Sequence, residues 1–223
     1  MKERPILFSA PMVRALLDGS KTQTRRTMRK QFPADAVMAE VPATDPIGGW
    51  VVSGHSGLWW DDAASCFDDA VRCPYGQPGD RLWVRETFCP IYPQDPTYNG
   101  GQPIEYDYAA TYTHGYRLGD SLGIKKVWRP SIHMPRAASR ITLQITGVRV
   151  ERLQDISEAD AIAEGCTENH NGYFWGGPHA VSGLKQMATA ASAYRDLWES
   201  INGAGSWDLN PWVWAVEFKV VKP

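Results

Sequence analysis

Residues 138–152, ASRITLQITGVRVER, give the strongest strand signal in the chain, with a bend expected at Gly147. Four other segments have strand patterns and are predicted to join it, at 6–8, 22–28, 81–87 and 212–221. Helical patterns lie between them without the regular strand–helix alternation that a doubly wound parallel sheet requires. The sequence therefore predicts an α+β fold built on a small mixed β-barrel.

Helical patterns predict three helices beside these strands. The first covers 10–18, has its apolar residues on one face and ends at Gly19. A shorter one opens at Ser157, where an S-x-x-D pattern is typical of a helix N-cap, and stops at Gly165. The third covers about 183–201, where apolar residues recur at helical spacing. We expect these helices to pack on the barrel.

The whole chain, 1–223, is expected to form a single domain with two insertions, near 33–78 and 90–127. Both insertions are rich in loop-forming residues. Short strands are nevertheless predicted inside them, at 37–41, 50–53 and 104–112.

Charge and cysteine usage limit the kinds of partner. The formal net charge is −2, which argues against a broad phosphate-neutralising surface and favours a local contact with nucleic acid or a nucleoside.

Four cysteines at irregular spacing, with no C-x-x-C pair, predict reduced thiols, no metal and no cofactor. Neither a signal-peptide pattern nor a long apolar run is visible, so we expect a cytoplasmic protein without a membrane partner.

The segment 19–26, GSKTQTRR, carries the strongest functional signal. A helix ends at its first residue and a strand begins within it, so Thr22, Thr24 and Arg26 are predicted to share one face, with Lys21 on the turn. This arrangement would bring an amine, a hydroxyl and a guanidinium to one mouth of the barrel. The alternative is a capped helix followed by a solvated edge strand.

Other polar and aromatic residues are candidates for the same mouth. Arg85 and Glu86 end a strand and would either line the site or form a surface ion pair. Trp83 would stack on a base or fill the core, and His133, in a stiff loop beside Arg136, would contact a phosphate or a base. The expected result is a cationic cleft formed by Lys21, Arg26, Arg85 and Arg136.

The run G-x-K-x-x-T-x-R, formed by Gly19, Lys21, Thr24 and Arg26, resembles the signature of ASCH domains. That resemblance implies a PUA-like β-barrel linked to RNA. Three further segments resemble a longer ASCH variety that is common in phages and prophages, at 79–86, 128–136 and 210–218. The resemblance to this variety covers nearly the whole chain.

Thr24 stands where many ASCH proteins have Glu, and this version is similar to small bacterial amidohydrolases that remove acetyl from N4-acetylcytidine. The resemblance implies that Thr24 is the nucleophile, Lys21 the base and Glu164, on a later helix, an orienting acid. Those enzymes are much shorter and lack both insertions, so the fold transfers more safely than the activity.

Three functions follow as expectations. The first is hydrolysis of an N4-acylated cytidine or a related modified nucleoside, the second is non-catalytic recognition of a modified base in RNA or DNA, and the third is an ASCH-type ribonuclease. Thr24 favours acyl transfer, because a nuclease would more naturally use a carboxylate or His as its base. The proposed chemistry contains a conflict, since Lys21 needs a lowered pKa and an ionised Glu164 beside it would raise that pKa.

Overall fold

A computed structural model of the chain describes residues 1–33, 36–41, 49–53, 70–92, 98–103, 105–112, 128–176 and 186–221. The strands in these ranges are β1 (Glu3–Leu7), β2 (Gln23–Thr27), β3 (Val37–Val41), β4 (Gly49–Ser53), β5 (Ala70–Val71), β6 (Arg81–Arg85), β7 (Phe88–Ile91), β8 (Glu105–Tyr108), β9 (Thr142–Arg152), β10 (Thr167–Glu168), β11 (Phe174–Trp175) and β12 (Trp212–Val221). The α-helices are α1 (Ala10–Asp18), α2 (Glu158–Ala163) and α3 (Ala190–Asn202).

A five-stranded sheet in the order β1-β6-β9-β12-β2 forms the centre of the protein. β1 runs parallel to β6, and the other neighbours are antiparallel. All five segments that were predicted to join belong to this sheet, so the prediction that they share one sheet is confirmed. The β9–β12 register shifts between Glu217 and Phe218, where Glu217 lies opposite Gly147. A bulge thus lies where the bend was expected.

The sheet does not close into a barrel within the described residues. β1 and β2 are its two edge strands and have no backbone pairing with each other. A side chain links them, as Arg26 Nη2 donates to the Leu7 carbonyl oxygen at 2.6 Å. Helix α1 packs Val13 and Leu16 into the main core. A helix therefore covers the face of the sheet that a closed barrel would enclose with strands. The α+β class stands, and the prediction of a closed barrel is not confirmed.

Apolar side chains cover both faces of the sheet. The main core holds α1 together with residues from β6, β9 and β12 such as Leu82, Leu143 and Trp214. Val213 alternates with its neighbours along β12 and packs on the opposite face, in a second core with α2 and α3. The edge strand β2 therefore borders α1 on one side of the sheet and α3 on the other.

Local sequence signals predicted most element boundaries well. Helix α1 matches its predicted range, and β3 and β4 pair antiparallel at the predicted hairpin positions. Helix α3 begins at Ala190, after the Thr189 cap, and not at 183. The prediction is wrong at Met187 because that residue forms an antiparallel bridge with Phe174. Residues 177–185 lie outside the described ranges, as do most of the two predicted insertions.

The predicted N-cap of α2 is confirmed, because the Ser157 hydroxyl accepts a hydrogen bond from the Asp160 backbone N–H at 3.1 Å. Ser157→Ala is expected to lower the free energy of unfolding by about 1 kcal/mol, since it removes this partner of the first helical turn. Urea denaturation would measure the change. Ser157→Asp is the matched control, because Asp also caps helices, and it should retain nearly the wild-type value. Equal stability of Ser157→Ala and wild type would contradict the capping role.

Candidate active site

The ends of α1 and α2 meet at a buried ion pair between Lys21 and Glu164. Lys21 follows the Gly19 C-cap of α1, while Glu164 is the C-cap residue of α2. The Lys21 Nζ donates to both the Glu164 carbonyl oxygen and its Oε2, each at 2.7 Å. A backbone hydrogen bond from Thr22 N to Ala163 O at 2.9 Å joins the same two turns. Two segments distant in sequence are thereby fixed against each other.

Burial lowers the pKa of the Lys21 amine relative to that of a surface lysine. The Lys21 side chain is 1% exposed, and this desolvation lowers its pKa from the ordinary 10.5. The Glu164 carboxylate acts in the opposite direction but does not cancel the effect, and the Arg26 charge lowers the pKa further. The net direction is a lowered pKa, which is the direction that the sequence-based mechanism requires. At a given pH, a larger fraction of the Lys21 amine is therefore neutral, and so able to accept a proton, than of a lysine with the ordinary pKa.

Arg25 holds the other side of the Glu164 carboxylate. Its Nη1 lies 3.3 Å from Glu164 Oε1, while Lys21 occupies Oε2. Arg25 also contacts Glu151 Oε1 through Nε at 2.8 Å and Asp160 Oδ2 through Nη2 at 3.1 Å. The Arg25 side chain is completely buried, so one guanidinium joins three carboxylates on the face of β2 that borders α2 and α3. This orients Glu164 independently of Lys21.

Asp160 extends the ion-pair network from the site towards the surface. Its Oδ1 lies 3.1 Å from Arg149 Nη2, and Arg149 also pairs with Glu217. Burial works to raise the pKa of Asp160, but the charges of Arg25 and Arg149 and the Ser157 hydrogen bond together lower it. Asp160 therefore remains ionised and continues to balance the buried Arg25 charge.

Thr24 and Glu164 line one small pocket of about 70 Å³. It lies along the unpaired edge of β2, between Met12 of α1 and the α3 residues Tyr194 and Trp198. Thr24 is itself buried, so its hydroxyl is shielded from bulk water. A volume of this size admits a small group or a few water molecules. Of the three residues predicted to be catalytic, Thr24 and Glu164 line this pocket, while Lys21 does not line it and is bonded to Glu164.

Arg26 also lines this pocket and has an unused donor. Its Nη2 bonds to the Leu7 carbonyl, and its guanidinium carbon lies 5.3 Å from the centre of the Phe8 ring. Its Nε is buried and has no hydrogen-bond partner within the described part of the chain. A buried donor without a partner is unusual in a folded protein.

Trp83, Arg85 and Arg136 form a separate cluster and do not line the pocket. The guanidinium carbons of Arg85 and Arg136 lie 4.7 and 6.0 Å from the Trp83 ring centre. Arg136 also pairs with Glu3 at 3.1 Å. Trp83 and Arg85 lie on the face of β6 opposite Leu82 and Val84, which belong to the main core. The expected cationic cleft is therefore divided into two groups.

Glu86 and His133 also lie away from the pocket. Glu86 is buried and receives two hydrogen bonds from Arg140, at 2.9 and 3.0 Å. The Arg140 guanidinium stacks on Tyr108, 3.9 Å from the ring centre, which makes this pair part of local packing. His133 is exposed in a short 3₁₀ turn. The structure gives neither residue a contact with Lys21, Thr24 or Glu164.

Sequence reasoning missed the contact between Arg25 and Glu164 and the α3 wall of the pocket. Strand alternation placed Arg25 on the face opposite Thr24, and no local spacing predicts its contact with Glu164, 139 residues away. Tyr194 and Trp198 were counted only as members of a helical apolar face. Tyr194 itself was a signal of a nearby polar site, because the hydroxyl of a tyrosine on a buried helix face needs a polar neighbour. Burial raises the pKa of Tyr194 well above 10, and Glu164 adds to that effect, so it remains a neutral hydroxyl.

Among the described residues, no three His, Cys, Asp or Glu side chains are grouped as a metal site requires. Cys73, Cys89 and Cys166 are free thiols, and Cys66 lies outside the described ranges. Burial raises the pKa of Cys166 to about 12, so this thiol beside the site is not a thiolate nucleophile. The α-helices that the structure describes are all too short or too polar to cross a bilayer.

Comparison with known proteins gives no relative from which to transfer a function. No protein-family profile, no curated protein and no solved structure matches the chain significantly. The resemblance to ASCH domains accordingly rests on the sequence motifs, and a functional argument has to rest on the geometry of the site.

Proposed function

We propose that the protein is an amidohydrolase that removes the acyl group from N4-acetylcytidine or a related modified nucleoside, on an ASCH-type scaffold with a PUA-like arrangement. The observation that carries this proposal is the buried Lys21 amine, with its lowered pKa, bonded to Glu164, which lines the same pocket as the buried Thr24. An amine of this kind is suited to take a proton from a hydroxyl nucleophile.

The reaction proceeds through an acyl-enzyme. The Thr24 oxygen attacks the acyl carbonyl carbon, and its proton passes to neutral Lys21. Collapse of the tetrahedral intermediate breaks the bond between the carbonyl carbon and N4, and the proton held by Lys21 goes to the departing N4 amine. A water molecule then attacks the Thr24 ester, which releases the carboxylic acid and restores the hydroxyl. One water is consumed for each amide cleaved.

Three neighbouring residues assist this sequence. Glu164 orients the amine through its Oε2, and Arg25 fixes that carboxylate through its Oε1. The unpartnered Arg26 Nε–H in the pocket wall is the donor for the negative charge that develops on the acyl oxygen. A donor that is already in place at the developing charge stabilises the transition state strongly.

Non-catalytic recognition of a modified base is the second candidate. It is favoured by the complete pairing of Lys21 and Glu164, because the two short hydrogen bonds from Nζ also suit a rigid binding wall. The ribonuclease alternative has less support, since His133 lies away from the pocket and the net charge of −2 disfavours an extended RNA surface.

The pH dependence of acetate release from N4-acetylcytidine tests the proposal. Lys21 acts as a base only when neutral, so the rate should rise as pH rises through its pKa and level off above it. Burial lowers that pKa, so the midpoint of the rise should lie below pH 10.5. A no-enzyme blank at each pH corrects for alkaline hydrolysis. A rate that falls with rising pH across this range would contradict Lys21 as the base.

A further inference from the structure

A second, wider pocket of about 490 Å³ adjoins the small one. The two pockets share three lining residues, Thr27, Trp198 and Asn202. Its walls include the apolar side chains of Phe32 and Leu209, and Leu209 is 77% exposed. A group held in the small pocket would therefore continue directly into this wider space.

Three amide side chains in the wide pocket are already occupied by hydrogen bonds to the backbone. Gln31 bonds to the backbone of Met28 and Trp212 through both ends of its amide. Asn202 donates to the Trp198 carbonyl, and Asn210 accepts from the Gln154 backbone N–H. These amides maintain the shape of the pocket, so they are not the groups that would recognise a ligand.

Three polar groups in the walls remain available. Trp198 Nε1 and Ser206 Oγ are buried and have no hydrogen-bond partner in the described part of the chain. Arg152 is the third and the only charged residue that lines this pocket; its guanidinium carbon lies 5.2 Å from the centre of the Trp212 ring. Within the described residues, no carboxylate lies at ion-pair distance from Arg152. The wide pocket thus offers one cation and two unused hydrogen-bonding groups.

We propose that the wide pocket holds the base, ribose and 5′-phosphate of the substrate, with the phosphate on Arg152 and the N4-acyl group reaching into the small pocket. The substrate class is then an N4-acylcytidine 5′-monophosphate, in preference to the free nucleoside or an RNA chain. One available guanidinium matches one phosphate, whereas an RNA strand would require several neutralising contacts. The apolar walls suit the carbon face of the sugar, and the unused donors suit its hydroxyls.

This inference rests on the proposed function for the base, but the phosphate site can be tested separately. Wild-type protein should show a kcat/KM about tenfold or more higher for N4-acetylcytidine 5′-monophosphate than for N4-acetylcytidine, the factor expected for a charged hydrogen bond. In Arg152→Gln this ratio should approach one. Arg195→Ala is the matched control, because it removes an exposed cation of α3, paired with Asp208, that does not line either pocket.

Equilibrium binding of the products separates the two proposals. Cytidine 5′-monophosphate should bind more tightly than cytidine to wild type, and Arg152→Gln should remove most of the difference. Arg152-dependent binding of the nucleotide without any hydrolysis would overturn the proposed function and support the phosphate site. Hydrolysis with equal kcat/KM for nucleoside and nucleotide in wild type would overturn the phosphate site alone. Tighter binding of a cytidine-containing oligoribonucleotide, with a steep salt dependence, would also overturn it in favour of RNA.

Discussion

Thr24→Ala is expected to lower kcat for acetate release from N4-acetylcytidine by at least about 10³-fold, because it removes the nucleophile. Lys21→Met is expected to lower kcat by about 10²- to 10⁴-fold, the range typical of a lost general base. Met has nearly the length of Lys and fills the buried space without an amine. Both rates would be measured at saturating substrate, with circular dichroism and thermal unfolding to confirm that each variant is folded.

Two matched variants control for the substitutions themselves. Thr24→Ser keeps a hydroxyl at the same position and should retain activity. Lys219→Met removes an exposed lysine of β12, far in sequence from the motif, and should leave the rate unchanged. Full activity in Thr24→Ala would eliminate the acyl-threonine step and leave Lys21 to activate a water molecule. Full activity in Lys21→Met would remove the base from the mechanism.

Arg25→Met is expected to lower the free energy of unfolding by about 3 kcal/mol, the lower end of the range for breaking a buried ion pair. The reason is that Glu151, Asp160 and Glu164 would all lose the same buried guanidinium. Glu151 and Asp160 are partly exposed, and water would compensate part of the loss. Urea denaturation at neutral pH would measure the effect.

Arg195→Ala again gives the matched comparison for stability. Its pair with Asp208 is 3.5 Å long and both side chains are at least half exposed, so the substitution should change stability by less than about 0.5 kcal/mol. If Arg25→Met were as mild as Arg195→Ala, the three carboxylates would have to be compensated by other groups, and Arg25 could not be the residue that orients Glu164.

Patterns within short segments explain what the sequence predicted well. Strand alternation and cap residues depend on contacts a few positions apart, so β2, β9, β12, α1 and the Ser157 cap could all be predicted. The pairing of Lys21 with Glu164 was available only through the ASCH resemblance, because 143 residues separate the two in sequence. The spacing of apolar residues along the sequence does not predict that the turn after α1 and the turn after α2 will meet in the folded protein.

The sequence-based predictions that the structure does not bear out also have specific physical causes. Side-chain alternation along β6 separates Trp83 and Arg85 from Leu82 and Val84, but it does not determine which face of β6 the pocket borders. The start of α3 was wrong because Met187 has helical spacing and yet pairs with Phe174 in a strand-like bridge. Closure of the barrel depends on whether β1 and β2 pair, which is a tertiary contact between the two edges of the sheet.

A single-turnover incubation of excess wild-type protein with N4-acetylcytidine tests the central claim most directly. The amounts of acetate, cytidine and remaining substrate would be measured after acid quenching, beside a no-enzyme blank and the Thr24→Ala variant. The proposed mechanism predicts equal amounts of cytidine and acetate in the wild-type sample and almost none in the variant. Recovery of bound but intact N4-acetylcytidine from wild type would contradict hydrolysis and leave base recognition as the function of the pocket.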